Sequence, residues 1–428
     1  MSALQTRSQD ADLSLAGRDP DLPCLAAVLD DGRLSELMGE DVRITRVRYK
    51  PHTSVLVAFV RTRDGSEDHG WAVTRAADPG AKLAGRAADS AQNGGGIRFL
   101  HPEPLNRDAF IAVGSAADDW ALRKNLRWLA QRGLGRLGAV PRPGELLDGT
   151  AQVLRYNPER RLVLLEPAPG AAIVIKTAAQ PINESAERWL HERLQAQRVP
   201  VLPWLGDAHC SRRGTRASPA WGNGDLAGGG TPLSARHAGN ALAALHGITG
   251  PESGAGAGPG AVRGAPRGEA PDQLAATLGM VAALVPDLEA PAARVAARLR
   301  RRLEDVTAGV APVLIHGDFS PDQVLVSGAD VRLIDFDRAR YGAAESDLGS
   351  FAAVEEIRRW QADPGPGPVT DDLLEGYSDA GGRFDPAAVT VWAAWRLFCN
   401  SVDPFRDRAA DWAEAIGRHL DRAAELVR

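Results

Sequence analysis

The chain has 428 residues, 44% of them hydrophobic and 25% charged, with a formal net charge of -5, a size that predicts two or three folded units with sizeable cores. The mild acidity, and the lack of any basic run with interleaved aromatics, exclude nucleic acid as an expected partner, and no apolar run is long enough to cross a bilayer. Three cysteines, Cys24, Cys210 and Cys399, lie far apart in no metal-ligand spacing and read as buried thiols.

Residues 1–10 are polar and lack the apolar core of a signal peptide. Residues 1–22 are therefore expected to be disordered and the protein cytoplasmic. Residues 47–59 and 153–165 then share one plan: a strand ending in Arg48-Tyr49 or Arg155-Tyr156, a turn on Lys50-Pro51 or Asn157-Pro158, and an apolar return strand. This is a hairpin whose turn has a mechanism, because proline presets the backbone there. A third strand follows each copy, at 70–75 and 172–176, so the pattern is an internal repeat. Only the second copy ends in lysine, Lys176; Arg75 stands at the end of the first. Arginine does not readily replace a compact ammonium, so the first copy reads as a cap or scaffold.

Residues 183–194 place Ala186, Trp189, Leu190 and Leu194 at helical spacing, with Asn183 as N-cap. Glu184 and Glu187 lie three apart on one side of this helix. Residues 199–205 and 217–224 read as the last strands of a small lobe and its connection to the next. A helix is expected over 232–246. Residues 250–271 are rich in Gly, Ala and Pro and are expected to form a flexible insertion. A helix through 291–303, with Pro291 in its first turn, leads to the most informative stretch of the chain.

Residues 313–326 read Val-Leu-Ile-His-Gly-Asp-Phe-Ser-Pro-Asp-Gln-Val-Leu-Val, and 331–337 read Val-Arg-Leu-Ile-Asp-Phe-Asp. Short apolar runs deliver Asp318, Gln323 and Asp335 at strand ends, which is the material for a carboxylate beside an acceptor hydroxyl and hard oxygen donors for a divalent cation. Beyond Asp347 the chain reads as helical over 351–360, 371–380 and from Pro386 to the end.

This pattern resembles the protein-kinase-like small-molecule phosphotransferases, in the aminoglycoside phosphotransferase, choline kinase and maltokinase branch. There the loop reads H-G-D-x-x-x-x-N and is followed by I-D-F/Y; here it is His316-Gly317-Asp318, Gln323, then Ile334-Asp335-Phe336. Gln323 departs from the usual Asn, as in the maltokinase-like members, and still offers an amide oxygen. The resemblance implies an α+β, bilobal kinase-like fold. A small antiparallel N-lobe is expected over 141–225 and a mainly helical C-lobe over 226–428, preceded by an α+β cap domain over 23–140 that carries the degenerate hairpin.

It also implies roles. Asp318 would accept the acceptor's proton, Gln323 and Asp335 would hold Mg²⁺, and Lys176, braced by Glu187 or Glu184, would hold the nucleotide phosphates. Arg160 or Arg161 would cover them in place of a glycine-rich loop, while His316 and Asp347 would support the catalytic loop. Trp221-Gly222-Asn223-Gly224 would meet adenine through its backbone. The C-terminal helices would form the acceptor pocket, with Glu355, Glu356, Trp392, Trp395 and Arg396 as candidates. The expected reaction is transfer from ATP, or GTP, to a hydroxyl of an aminoglycoside, another antibiotic, a sugar or an amino sugar, by a monomer or homodimer. A nucleotide-binding regulatory module is the rival reading. A two-metal phosphoesterase is poorly supported, because His52, His101 and His237 fall in no ligand motif.

Overall fold

The computed structural model describes residues 3–63, 65–76, 85, 88, 91, 95–103, 109–142, 146–147, 149–249, 269–360 and 367–428. They divide into two compact units. The first comprises residues 1–182, 204–220 and 403–415; the second comprises 183–203, 221–402 and 416–428.

The first unit holds two antiparallel sheets. Strands β1 (Val42–Lys50), β2 (Ser54–Arg63), β3 (Ser66–Arg75), β4 (Arg98–Leu100) and β5 (Ile111–Ser115) form one, in the order β1-β2-β3-β5-β4; β6 (Gln152–Asn157), β7 (Arg161–Glu166), β8 (Ile173–Ala178) and β9 (Thr215–Pro219) form the other, in chain order. The repeat read from sequence is real in three dimensions. Tyr49 pairs with Val55 and Tyr156 with Leu162, and each first strand carries a bulge, at Ile44/Arg46 and Val153/Arg155.

The repeat reaches further than the hairpins. At matching turn positions His52 and Glu159 both have positive φ, 56° and 60°. A buried aspartate staples each turn. Asp19 accepts from Tyr49 Oη (2.7 Å) and His52 N–H (2.9 Å), and Asp119 accepts from Tyr156 Oη (3.0 Å) and Glu159 N–H (2.7 Å). A carboxylate taking two donors inside a core satisfies the turn and the tyrosine together.

Pairing corrects one equivalence. Thr74 faces Val55 and Thr177 faces Leu162, so the counterpart of Lys176 is Val73, one residue before Thr74, and not Arg75. Both copies bury side chains in one core, which does not separate a cap from an N-lobe at residue 140. Residues Ala3–Arg18, expected to be disordered, form a helix in which Leu15 is buried. The physical reason lies at the far end of the chain: Arg408 bonds Asp12 at 3.1 and 2.5 Å, and Trp412 Nε1 donates to Asp12 at 3.2 Å.

The second unit is mainly helical, with β10 (Gly224–Asp225), β11 (Val313–Ile315), β12 (Val324–Ser327), β13 (Asp330–Leu333) and β14 (Arg340–Gly342) forming two small sheets, β10-β12-β13 and β11-β14. Helix Pro232–His246 starts with a Thr231/Ser234 capping box and Pro at its first turn. It crosses helix Thr370–Asp379 closely, because Gly239 and Gly376 leave room for backbone: an added Cβ would lie 2.0 Å from Leu373 O and 2.1 Å from Arg236 O. Asn183 caps helix Glu184–Ala196 by accepting from Ala186 N–H, and Pro291 sits in the first turn of helix Glu289–Thr307. The helix expected from Pro386 to the end stops at Asn400, and Trp412–Leu426 forms a separate one; between them the chain contributes to the first unit. The expected insertion lies outside the described residues up to 268, and from Glu269 the chain is helical. Among the described residues no helix is long and apolar enough to cross a membrane. Cys24 and Cys210 are buried and Cys399 is half-buried; all three are free thiols.

Candidate active site

Strand β11 ends at Ile315, and the next three residues, His316, Gly317 and Asp318, turn sharply. Gly317 has φ 81°, and a Cβ there would lie 2.2 Å from Arg338 O, so only glycine fits. Asp347 holds this turn from behind. Its carboxylate accepts from His316 N–H at 2.6 Å and Gly317 N–H at 2.9 Å, and lies 3.1 Å from His246 Nε2. Burial pushes the Asp347 carboxyl up, but the His246 hydrogen bond and the nearby imidazoles and amide outweigh it and hold the group below its ordinary range. His246 is in turn set by Tyr377 Oη, 2.9 Å from Nδ1. The sequence reading missed this imidazole; its position at the end of the Leu-His helix was the available signal.

His316 Nε2 lies 2.7 Å from Ile334 O, and Ile334 N–H donates to Gln323 O at 3.1 Å. These two bonds tie the Asp318 turn, Gln323 and the residue before Asp335 into one small region of backbone. Gln323 spends the NH₂ end of its amide on Asp322 Oδ2 (2.8 Å), which leaves its oxygen as the end suited to a cation. Asp335 sits in the left-handed region (φ 62°, ψ 57°), which aspartate tolerates better than most residues and which is concentrated at functional sites. Two hard oxygen donors of this kind fit Mg²⁺. Among the described residues, Asp19, Asp21 and His52 also bring possible ligand atoms within 4.8 Å of one another. There Asp19 is already bonded to Tyr49 and His52, as described above.

Asp318 is one-third exposed and is met by two guanidinium groups, Arg396 Nη2 at 2.5 Å and Arg338 Nη1 at 3.7 Å. Burial raises its carboxyl, and the charges of Arg396 and Arg338 more than reverse this, holding it below its ordinary value. The group is therefore ionised at neutral pH.

In the first unit, Lys176 lies on β8 opposite Val163, half-buried, on the face that alternates with Ile175 and Thr177. Arg160 is the last residue of the β6–β7 turn. Burial, then the neighbouring charges of Arg48, Arg406, Arg46 and Arg161, lower its pKa, the mark of a crowded cationic patch. In the second unit Glu184 pairs with Arg188 within its own helix at 2.9 Å. Glu187 follows three residues later, also in the first turn of that helix. Glu355 and Glu356 are held elsewhere, as shown below.

Residues 228–398 match the sequence model of the family described as "Phosphotransferase enzyme family". A search of curated proteins returns no match. Among solved structures, amicoumacin kinase hAmiN is similar at 13% identity with a TM-score of 0.50, over 69% of this chain and 92% of that one. The macrolide 2'-phosphotransferase MphH of Brachybacterium faecium matches at 18% identity and TM-score 0.44, over 70% and 98% of the two chains. A choline/ethanolamine kinase family protein from Mesorhizobium loti matches at 18% and 0.45, over 69% and 93%. The antiparallel sheets and the helical C-terminal region are those of a kinase-like α+β fold, and the stretch that matches the phosphotransferase family model, residues 228–398, holds the Asp318 turn, Gln323, Asp335 and Asp347.

Proposed function

We propose that the protein is an ATP- and Mg²⁺-dependent O-phosphotransferase acting on a hydroxyl of a small molecule. The observation that carries this is the clamped Asp318 turn: an ionised carboxylate held in place by Asp347 and His316, on the same backbone framework as the oxygen donors Gln323 and Asp335. Phosphoryl transfer asks a protein for positioning and charge more than for covalent chemistry. A kinase of the same fold, amicoumacin kinase, was solved with AMP-PNP and Ca²⁺; in this chain GTP remains an alternative donor.

Each residue then has a role. Asp318 orients the acceptor hydroxyl and takes its proton as the oxygen attacks the γ-phosphorus and ADP leaves. Gln323 and Asp335 hold Mg²⁺, which neutralises charge on the β- and γ-phosphates when bound. Lys176 holds the phosphates, with Arg160 and its arginine neighbours adding positive potential at the β6–β7 turn. Glu187 is the better candidate to brace Lys176, since Glu184 is committed to Arg188. The expected acceptors are an antibiotic, a sugar or an amino sugar. The expected setting is the cytoplasm, where ATP is available, and the expected species a monomer or homodimer.

The test is ADP release with ATP and Mg²⁺ across aminoglycosides, nucleoside antibiotics, sugars, sugar acids and amino alcohols. Asp318→Ala should lower acceptor-dependent release by at least about 100-fold, the usual scale for a lost general base. Binding of ATP with Mg²⁺ but no acceptor-dependent release from the wild-type protein would favour the regulatory module instead.

A further inference from the structure

The two acidic candidates for a cationic acceptor, Glu355 and Glu356, are committed elsewhere in the helical unit. Glu355 accepts from the N–H groups of Val369 (2.7 Å) and Thr370 (3.1 Å), and Glu356 accepts from Arg422 Nε at 2.6 Å. At the catalytic carboxylate the neighbours are cations. Arg396 and Arg338 together bring two positive charges to the one Asp318 carboxylate. An ammonium group arriving there meets repulsion, and an anion meets attraction.

The donors are also unspent. Arg396 lies on helix Pro386–Asn400 with its side chain 14% exposed, and only its Nη2 reaches Asp318. One turn earlier on the same helix stands Trp392. Among the described residues, neither buried Arg396 Nε nor buried Trp392 Nε1 has a hydrogen-bond partner. A guanidinium offers five donors in a planar fork that matches the oxygen pair of a carboxylate or phosphate, and a buried N–H without an acceptor favours whatever ligand supplies one.

We propose that the acceptor is a hydroxyl compound bearing a carboxylate or phosphate group, and that Arg396 is the specificity residue that binds this anion beside the hydroxyl presented to Asp318. The inference rests on the phosphotransferase reading and narrows its substrate class. When the anion binds, it takes Arg396 Nε and one Nη, and Asp318 exchanges its Arg396 hydrogen bond for the acceptor hydroxyl. The hydroxyl oxygen then bonds to the γ-phosphorus, the β–γ bridging P–O bond breaks with its electron pair leaving on ADP, and the hydroxyl proton passes to Asp318.

The experiment compares matched acceptors: glycerate, glycerol and 2-amino-1,3-propanediol; glucuronate, glucose and glucosamine; and glycerol 3-phosphate to separate phosphate from carboxylate. ADP release and phosphorylated product are measured for the wild type, Arg396→Gln and Arg396→Lys. The anionic member should have the lower KM by about 10- to 100-fold, the scale of a charge-assisted hydrogen-bond pair. Arg396→Gln should erase that preference while leaving the KM for ATP within about twofold, and Arg396→Lys should keep part of it because it keeps the charge without the fork. Preference for the neutral or amino member, with Asp318 still required, would overturn the inference and leave the phosphotransferase standing. So would an Arg396→Gln protein whose kcat falls equally for all acceptors, since Arg396 would then only support Asp318. Transfer to no member of the panel, by protein that binds ATP, would count against the phosphotransferase reading and the inference together.

Discussion

The meanders β1–β3 and β6–β8 share turn, bulge, tyrosine and stapling aspartate, yet they turn opposite faces to their common core. The first contributes Leu56, Ala58, Trp71 and Val73; the second contributes Leu162, Leu164, Ile173 and Ile175, which by register match Val55, Val57, Gly70 and Ala72. Val73 is 1% exposed, whereas its counterpart Lys176 lies on the face that the second copy keeps out of that core. Because side chains alternate along a strand, the choice of buried face decides which copy can carry a functional cation. The same scaffold buries this position in one copy and leaves it half-buried in the other.

Substitutions at matching positions of the two copies would break or sharpen this contrast. Lys176→Met should lower kcat/KM for ATP by about 100- to 1000-fold, the range for a lost charge-stabilising donor, whereas Arg75→Met should leave it unchanged; steady-state kinetics with ATP varied checks both. Val73→Lys should destabilise by about 4 kcal/mol in denaturant unfolding, because it buries an unpaired ammonium, and should confer no nucleotide binding. Asp19→Ala and Asp119→Ala should each cost about 2–3 kcal/mol, since each strands a tyrosine hydroxyl and a turn N–H; a large difference between them would break the equivalence.

Asp119 adds a pH test. Burial pushes its carboxyl above the ordinary value, so the folded state binds the proton more readily than the unfolded one. Stability should therefore fall as pH rises from the ordinary carboxylate value through the folded one, and Asp119→Asn should flatten that slope. The smallest effect belongs to the turn residues. His52→Gly should change stability by less than about 1 kcal/mol, because relief of positive φ is offset by loss of the ring contacts with Asp21 (3.1 Å) and Asp19 (3.3 Å). Glu159→Gly should instead lose stability, because Glu159 accepts from Arg48, Arg75 (3.0 Å) and Trp120 Nε1 (2.6 Å). Thermal unfolding of the pair separates the two outcomes.

Local patterns were legible in the sequence. The Arg-Tyr-x-Pro turns, the Thr231-Pro232 helix start and the His316-Gly317-Asp318 loop each lie within a few residues and declare themselves by type and spacing. What needed coordinates was pairing at a distance. Register, not sequence order, makes Val73 the partner of Lys176, and Asp19 and Asp119 gain meaning only when the tyrosines fold onto them. Arg396 was visible as a candidate acceptor contact, but its ion pair with Asp318, 78 residues away, was not. The N-terminal helix was misjudged for the same reason, since its buried Asp12 is matched by an arginine near the other end of the chain.

That last pairing bears on how the protein is made. The first unit needs residues 403–415: Phe405 and Trp412 are each 1% exposed, and Arg408 supplies the counter-charge to buried Asp12. Domains ordinarily fold from the N-terminus as they leave the ribosome, but here the first unit includes a segment, residues 403–415, that is made only after the whole of residues 221–402. A premature stop anywhere before residue 403 therefore removes part of the N-terminal unit as well as the helices it truncates.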